Sequence, residues 1–210
     1  MGFNIEFMKI ICIGRNYVKH IKELNNEIPG EPVFFLKPDT ALLPNGNDFY
    51  LPSFSKDIHH EIELVIKINK EGKNISEKFA SRYFSEITVG IDFTARDIQK
   101  RQKEKGLPWE AAKAFDHSAP VGTTISIDDL IDRDNIQFHL VKNGSIVQEG
   151  NSNLMIFSFV KIISYVSTFI TLRKGDLIFT GTPEGVGPVL AGDKLECFLE
   201  NKNLLMVQIK

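Results

Sequence analysis

The chain has 210 residues, of which 42% are hydrophobic and 25% are charged, and its formal net charge is -2. This composition is typical of a folded soluble protein and excludes a disordered or fibrous chain. The small negative charge provides no field that attracts nucleic acid or an anionic membrane, so we expect neither as a partner.

Cysteine usage and the N-terminal segment bear on the compartment. Cys12 and Cys197 each lie in an apolar run and form no CxxC motif, which is typical of a reducing environment. The opening MGFNIEFMKIICIG lacks the basic region of a secretory signal, and Met8 is an alternative start that makes residues 1–7 an extension. We therefore expect a cytoplasmic protein.

The first half of the chain is predicted to alternate short strands and short helices. KIICIGRN is a predicted strand that ends at Gly14, and YVKHIKELNN has helical spacing before IPGEP breaks it. Ser76 is a candidate N-cap for a short amphipathic helix. The remaining predicted strands are PVFFLKP, HHEIELVIKI and ITVGIDFTA, the last followed by a polar helix, RDIQKRQKEKG.

The second half is predicted to be mostly β. IQFHLVKNGSIVQEG has the pattern of a hairpin around Asn143-Gly144, a pair that favours a type I′ turn. The apolar stretch 154–172 contains Lys161 and several Ser and Thr, which favours a buried helix over a membrane span. Strands separated by Gly and Pro follow, with a turn signal at 200–203. The prediction is a single α+β domain, mainly β.

Glu61 and Glu63 alternate with aliphatic residues in HHEIELVIKI. Because residues i and i+2 of a strand share a face, the two carboxylates are expected to project together. Taken alone, the pattern favours a solvated face, since parallel carboxylates repel and are costly under cover. A functional interpretation requires a third oxygen ligand and a cation.

Asp92 is the candidate for that third ligand. It lies near the end of the predicted strand VGIDFTA, where a lone Asp suits neither packing nor strand propensity. Three carboxylates without Cys or clustered His ligands suit Mg²⁺ or Mn²⁺, and His59 and His60 form no zinc signature. The sequence alone does not bring Asp92 to Glu61.

A second candidate pair is His20 and Glu23, spaced i, i+3 on the predicted helix after GRNY. A carboxylate beside an imidazole orients it and raises its basicity, as in a general base that activates water. Taken alone, the spacing favours an ordinary surface pair.

Other polar features are assigned no role from the residues alone. Lys113, taken singly, is interpreted as a solvated lysine, and the basic run at 100–106 as a solvated helix face. The glycine-rich stretch 181–189 lacks the Gly-Lys-Ser/Thr of a phosphate-binding loop. His117 and His139 are interpreted as structural or surface residues.

Seven motifs together resemble the fumarylacetoacetate hydrolase-like proteins. The most similar branch is the short, single-domain one that includes acylpyruvate hydrolases and oxaloacetate decarboxylases. The motifs occur in the family's order from about Met8 onwards, and together they favour the functional interpretations over the solvated ones. They are GRNY, FLKP, HHEIEL, IDFTARD, LPWEAAKAFDHSAPVG, MIFS and LIFTGTPEGVGP.

The resemblance implies a metal site and a catalytic pair. The family binds Mg²⁺ or Mn²⁺ through Glu-x-Glu and the Asp of a later strand, which match Glu61, Glu63 and Asp92. Its lid helix brings a His–Glu pair over the site, which matches His20 and Glu23.

The resemblance also implies residues that contact substrate. The family's site lysine matches Lys113, and positions that hold the 2-oxoacid end of the ligand match Arg96, Gln99 and Thr182. Lys37 of FLKP lies in a family motif and is a further candidate for substrate binding.

The fold implied by the resemblance is a roll of mixed β-sheets with short flanking helices, usually paired as a homodimer. A lid is expected at about residues 15–30. The larger fumarylacetoacetases carry an extra N-terminal domain for which this chain has no length, which argues against fumarylacetoacetate as the substrate.

The function that follows is Mg²⁺- or Mn²⁺-dependent cleavage of C–C bonds in 2-oxoacids. We expect hydrolysis of acylpyruvates to pyruvate and a carboxylic acid, together with decarboxylation of oxaloacetate. One alternative is an isomerase/decarboxylase or diketo-acid hydrolase of aromatic or sugar-acid catabolism. The other is an inactive, metal-stabilised dimeric binding module, which should lack one ligand or the His–Glu pair.

Overall fold

The computed structural model describes residues 8–24 and 27–210, so the predicted extension 1–7 lies outside the described residues. The described chain is mainly β with short helices, which confirms the predicted fold class. The strands are β1 Ile10–Gly14, β2 Val33–Lys37, β3 Leu42–Pro44, β4 Ile58–His60, β5 Ile62–Ile68, β6 Phe84–Ile91, β7 Thr94–Ala95, β8 Ala119–Val121, β9 Ile125–Ser126, β10 Gln137–Lys142, β11 Ser145–Asn151, β12 Leu177–Phe179, β13 Gly187–Pro188, β14 Lys194–Leu199 and β15 Lys202–Gln208. The helices are α1 Val18–Glu23, α2 Glu77–Ala80, α3 Arg96–Glu104, α4 Glu110–Lys113 and α5 Phe159–Phe169.

The strands form three sheets around a shared apolar core. The largest sheet runs in the order β2-β1-β12-β5-β6-β8-β3, with β9 paired to β6. It is mixed, because β1 is parallel to β12 while β5 is antiparallel to both of its neighbours. A four-stranded antiparallel sheet, β11-β10-β14-β15, and a small sheet, β13-β4-β7, complete the roll. Buried side chains from all three sheets belong to one core cluster.

The segment HHEIELVIKI is two strands rather than the single strand predicted. β4 ends at His60 and β5 begins at Ile62, so Glu61 lies at the junction. β4 pairs in the small sheet, whereas β5 lies in the middle of the large sheet. Both faces of β5 are covered: Leu64 is 0% and Glu63 only 2% exposed. The solvated-face interpretation is therefore wrong, because a central strand between covered faces has no solvent side.

The predicted turns are confirmed. Asn143 and Gly144, with φ of 52° and 84°, connect β10 to β11, as a type I′ turn requires. The turn signal at 200–203 falls at the reversal between β14 and β15. α2 begins directly after Ser76, although the Ser76 side chain makes no capping hydrogen bond.

The apolar stretch 154–172 contains a shorter helix than predicted. α5 begins after Ser158, whose hydroxyl caps it by accepting from the Lys161 amide. Ile162, Ile163 and Val166 are fully buried on its inner face. No helix in the described residues is long and apolar enough to span a membrane.

Asn16, directly after the GR of GRNY, connects three segments at the end of β1. Its amide Nδ2 donates to the carbonyls of Phe157 at 3.0 Å and Thr180 at 2.8 Å. Its Oδ1 accepts from the Phe157 amide at 2.7 Å. The packing is close enough that a Cβ added to Gly181 would lie 2.7 Å from the Asn16 Cβ. Asn16 therefore fixes the start of α1 against the loop after β12.

Asn16→Ala is expected to lower the free energy of unfolding by about 3 kcal/mol, since it leaves several buried polar groups without partners. The matched control is Asn47→Ala at an exposed turn, which should change it by less than about 1 kcal/mol. Urea denaturation followed by circular dichroism measures both. Equal stability of the two variants would contradict the role assigned to Asn16.

Candidate metal centre

Strand pairing brings the three predicted carboxylates together. β5 and β6 are antiparallel with Ile62 opposite Ile91, and the Asp92 amide donates to the Glu61 carbonyl at 2.8 Å. One carboxylate oxygen from each of Glu61, Glu63 and Asp92 lies within 4.8 Å of the others, and all three residues are buried. The β5–β6 register thus supplies the link between Asp92 and Glu61 that the sequence lacked.

Lys113 is the cation held within this cluster. Its Nζ lies 2.8 Å from Glu61 Oε2 and 2.6 Å from Asp92 Oδ2, and it donates to Thr94 Oγ1 at 2.5 Å. Burial alone lowers the pKa of an ammonium, but the carboxylates of Asp92 and Glu61 outweigh burial and raise the pKa of Lys113. The two carboxylates therefore favour the charged form of Lys113.

The carboxylates of Glu61 and Glu63 have different amounts of positive charge near them. Burial raises the pKa of Glu61, but Lys113 and Arg96 outweigh burial and hold that pKa well below its ordinary value. The Arg96 guanidinium lies 2.5 Å from Glu61 Oε1. Burial and then the charge of Asp92 raise the pKa of Glu63 well above its ordinary value, although Glu63 accepts from the Gly181 amide at 2.7 Å. The Glu63 carboxylate therefore has less nearby positive charge than the Glu61 carboxylate has.

The chemistry of the donors fits a divalent cation. Asp92 Oδ1 is buried and has no hydrogen-bond donor among the described residues, although Lys37 Nζ lies 2.8 Å away as an ion-pair partner. A cation beside Glu63 and Asp92 would neutralise their repulsion. Carboxylate oxygens are the ligands that Mg²⁺ and Mn²⁺ prefer, so Glu61, Glu63 and Asp92 are the residues that could hold either ion.

Lys37 lies behind the site and not in the cleft. Its side chain is 0% exposed, and its Nζ donates to the carbonyls of Lys113 at 2.5 Å and Ser118 at 2.9 Å. It pairs with Asp92 Oδ1 at 2.8 Å but does not line the cleft that the three carboxylates line. In place of the predicted substrate contact, this geometry supports a role in positioning Asp92 and the end of α4.

His20 and Glu23 form the predicted pair. The His20 Nδ1 lies 3.0 Å from Glu23 Oε2, and Glu23 Oε1 accepts from the Gly185 amide at 3.0 Å. Because a carboxylate only accepts, it favours the tautomer with the proton on Nδ1 and leaves Nε2 free to take a proton. Lys19 adds an ion pair to Glu184 at 3.1 Å. α1 is thereby held against the loop that follows β12.

The remaining predicted side chains line one cleft. Arg96 and Gln99 line it from α3, and Arg96 Nη1 donates to Gln99 Oε1 at 2.6 Å. Thr182 lines it from the loop after β12, and its Oγ1 accepts from Gln148 Nε2 at 3.0 Å. The carboxylates, Lys113 and His20 line the same cleft, so every predicted site residue lines it except Lys37 and Glu23, and Glu23 contacts the cleft residue His20.

Several lining residues were missed by the sequence analysis. Arg15, Lys103 and Trp109 line the cleft, although Lys103 belongs to the run interpreted as a solvated helix face. The signal for Lys103 was its spacing, since Arg96, Gln99 and Lys103 share one face of a helix at i, i+3 and i+7. That interpretation is therefore wrong for Lys103.

His59 and His60 are neighbours of the site, directly before Glu61. His60 Nδ1 lies 2.9 Å from Gln148 Oε1, and burial lowers the pKa of His60 to about 4, so this ring is neutral. His59 pairs with Asp57 at 2.9 Å. Gln148 in turn donates to Thr182, a long-range connection that no local pattern in the sequence could reveal.

A rolled, mainly β fold with three buried carboxylates and an adjacent His–Glu pair defines the class as that of an enzyme whose carboxylates could hold a divalent cation. Residues 9–210 match the family model described as fumarylacetoacetate (FAA) hydrolase C-terminal. The chain belongs to this family.

Two curated relatives and one solved structure show the closeness of the match. Oxaloacetate tautomerase FAHD1, mitochondrial, of Mus musculus is 42% identical over 96% of this chain and 91% of its own. Oxaloacetate decarboxylase, mitochondrial, of Dictyostelium discoideum is 46% identical over 90% of this chain and 87% of its own. The fumarylpyruvate hydrolase of Pseudomonas aeruginosa, solved with Mn²⁺ and pyruvate, is 37% identical with a TM-score of 0.90 over 99% of this chain and 92% of that one.

The expected cytoplasmic localisation is contradicted by these relatives, because the mouse, cattle and human proteins are named as mitochondrial. The expectation rested partly on two free cysteines, Cys12 and Cys197, which are both buried. Free cysteines indicate a reducing environment and do not distinguish one reducing compartment from another. The homodimer, the lid motion, the single domain over 1–210 and the lack of nucleic-acid or membrane partners stay predictions.

Glu63→Gln is expected to weaken Mn²⁺ binding at least about tenfold, because it removes a ligand charge without depriving Lys113 of a partner. Isothermal titration of Mn²⁺ into each protein measures the change. The matched control is Glu104→Gln on the exposed face of α3, which should bind Mn²⁺ as the wild type does. Unchanged affinity in Glu63→Gln would contradict the metal site.

Proposed function

We propose that the protein acts on 2-oxoacids through the enolate of their pyruvate unit, with a divalent cation held by Glu61, Glu63 and Asp92. The observation that carries the proposal is the convergence of these buried carboxylates, Lys113 and His20 on one cleft, with Glu23 paired to His20. The names of the relatives support it, since oxaloacetate tautomerase, oxaloacetate decarboxylase and fumarylpyruvate hydrolase all imply chemistry next to a 2-oxo group.

The side chains of the cleft divide into a binding side and a proton-transfer side. Arg96, Gln99 and Thr182 provide donors for the carboxylate and 2-oxo oxygens of the substrate. Lys113 places a fixed positive charge where negative charge develops on the 2-oxo oxygen, which stabilises the enolate more than the ground state. When bound, a divalent cation at the carboxylates supplies further positive charge to the same oxygens.

His20 is the proton-transfer group on the other side. Nε2 takes a proton from C3 of the substrate, and Glu23 stabilises the imidazolium that results. Return of a proton to the 2-oxo oxygen gives the enol, and the reverse sequence regenerates the ketone. Keto–enol tautomerisation of oxaloacetate is therefore the first candidate reaction, in agreement with the name of the mouse relative.

Carbon–carbon cleavage is the second candidate. In an acylpyruvate, His20 activates a water that attacks the distal carbonyl, and cleavage releases a carboxylic acid and the pyruvate enolate. Loss of CO₂ from oxaloacetate gives the same enolate without an attacking water. The likeness to the fumarylpyruvate hydrolase solved with pyruvate favours hydrolysis, and the Dictyostelium relative favours decarboxylation. An inactive binding module was expected to lack one metal ligand or the His–Glu pair. The three candidate ligands and the pair are all present, which argues against that alternative.

The proposal is tested by assaying oxaloacetate tautomerisation and decarboxylation, and hydrolysis of acetylpyruvate and fumarylpyruvate, with Mn²⁺, with Mg²⁺ and with chelator. We expect turnover of at least one of these 2-oxoacids, its loss in chelator, and its recovery when the metal is restored. Turnover that persists in chelator would refute the requirement for a divalent cation. Absence of turnover with all of these 2-oxoacids would refute the proposed substrate class.

His20→Ala is expected to lower the rates of tautomerisation and acylpyruvate hydrolysis by about 10²- to 10⁴-fold, since both need a base. Decarboxylation of oxaloacetate should fall much less, because it needs none. Lys22→Ala, an exposed change on the same helix, is the matched control and should leave all the rates unchanged. Equal loss of all the activities in His20→Ala would rule out this division of roles.

A further inference from the structure

Gln148 is a buried polar side chain of β11 that connects two parts of the site. It is only 2% exposed, and burial of an amide is costly unless its hydrogen-bonding groups have partners. The proposed chemistry gives Gln148 no role, and its side chain does not line the cleft. Its hydrogen bonds nevertheless reach both the β4–β5 junction, where Glu61 lies, and the loop that carries Thr182.

A β-bulge brings Gln148 to the inner face of its sheet. The register between β10 and β11 shifts within the hairpin, so that Leu140 pairs with Gln148 and Val147 is the extra residue. Directly opposite residues of two antiparallel strands share a face, so regular pairing would place Val147 with the fully buried Leu140. The bulge instead buries a glutamine. A bulge that re-aims a polar side chain beside a site indicates a functional constraint.

Backbone groups identify the two ends of the Gln148 amide. Its Oε1 accepts from the Ile62 amide at 3.1 Å, and a backbone N–H can only donate. Its Nε2 donates to the Pro183 carbonyl at 3.1 Å, and a carbonyl can only accept. The opposite orientation of the amide would lose both bonds. The Nε2 end is therefore the donor to Thr182 Oγ1, which lies 3.0 Å away.

This donation determines what the Thr182 hydroxyl can do. A hydroxyl carries one proton, which stays available to an acceptor when the oxygen itself accepts from Gln148. Within the described chain, that proton can reach the Pro183 carbonyl at 3.5 Å, a long contact to an oxygen that already accepts from Gln148. Thr182 lines the cleft, so its proton can serve an anion bound there.

The oxygen end of Gln148 binds the residues on both sides of Glu61. In addition to accepting from the Ile62 amide, Oε1 lies 2.9 Å from His60 Nδ1. His60 is the last residue of β4, and Ile62 is the first of β5. One buried side chain therefore connects the junction that carries a candidate metal ligand with the hydroxyl of Thr182.

We propose that Gln148 is a positioning residue that holds the Thr182 hydroxyl as a hydrogen-bond donor to the carboxylate of the bound 2-oxoacid. This inference rests on the proposed function and adds to it a residue outside the cleft on which ligand affinity depends. Since Lys113 serves the 2-oxo oxygen in that function, the carboxylate is the acceptor for Thr182. A donor that is oriented before the ligand arrives avoids an ordering cost on binding.

The test is isothermal titration of pyruvate, which has both the carboxylate and the 2-oxo group, into the Mn²⁺-loaded protein. Gln148→Glu keeps the side-chain shape and the acceptor for the Ile62 amide, but it replaces Nε2 by an oxygen that takes the Thr182 proton. We expect weakening of pyruvate binding on the order of 10-fold, as in Thr182→Val, because each change removes a hydrogen bond to a charged group.

The double variant distinguishes a positioning role from a merely structural one. If Gln148 acts through Thr182, adding Gln148→Glu to Thr182→Val should change the pyruvate affinity by less than about twofold. Independent effects would multiply, to on the order of 100-fold. Glu149→Gln, an exposed change next to Gln148 on β11, is the matched control and should bind pyruvate as the wild type does.

Gln148→Met introduces no buried charge and keeps the test available if Gln148→Glu does not fold. It should weaken pyruvate binding about 3- to 10-fold, again with no further loss in the Thr182→Val background. Mn²⁺ affinity and the thermal midpoint of each variant establish that the metal site and the fold are retained.

Kinetics give an independent readout. For a 2-oxoacid that the protein turns over, the KM should rise in each Gln148 variant by a factor similar to the loss of pyruvate affinity. The kcat should stay within about threefold of wild type, because a bond to the carboxylate is made equally in the ground state and the transition state.

The outcomes separate this inference from the proposed function. Unchanged pyruvate affinity in both Gln148 variants, multiplied effects in the double variant, or a fall in kcat with unchanged KM would overturn the positioning role and leave the proposed function standing. If wild type neither binds pyruvate nor turns over a 2-oxoacid, the proposed function fails, and the inference fails with it.

Discussion

Burial of three carboxylates together with the basic side chains that pair with them is the constraint on which the rest of the structure depends. Charges removed from water are tolerated only when each has a partner, and Lys113 serves Glu61 and Asp92 at once. Lys37 supports the arrangement from behind by binding Asp92 and the backbone carbonyl of Lys113. Glu63 is left with a raised pKa, so the protein's own cations do not complete the cluster. A divalent cation is the partner that the donor chemistry suits.

The second half of the chain positions His20, the proposed proton-transfer group. α1 comes directly after β1, and Asn16 and Glu23 attach it to segments more than 130 residues further along the chain. This places His20 in the same cleft as the buried Lys113, an arrangement that suits enolate chemistry. Relatives named for tautomerisation, decarboxylation and hydrolysis are consistent with one such arrangement, because the reactions differ in what leaves or attacks the same enolate.

Local periodicity predicted much of the site, and strand pairing supplied the rest. The alternation in HHEIELVIKI identified Glu61 and Glu63 as a pair but predicted one strand with a solvated side, because the central place of β5 depends on non-local pairing. Lys37 was expected to contact substrate because it lies in a family motif. The motif does not reveal that the Lys37 side chain is buried and paired with Asp92. Gln148 reaches Thr182 from another sheet and has no local signal. Lys103 had a helical signal that its basic neighbours obscured.

The central claim, that the carboxylates of Glu61, Glu63 and Asp92 bind a divalent cation, is tested most directly by a crystal structure of the protein soaked with Mn²⁺. Anomalous scattering locates manganese without reference to activity. We expect one strong anomalous peak, with the manganese about 2.0–2.3 Å from an oxygen of each carboxylate, as for other oxygen-ligated divalent ions. No peak at these residues under saturating Mn²⁺, or a peak only at another place on the protein, would contradict the claim.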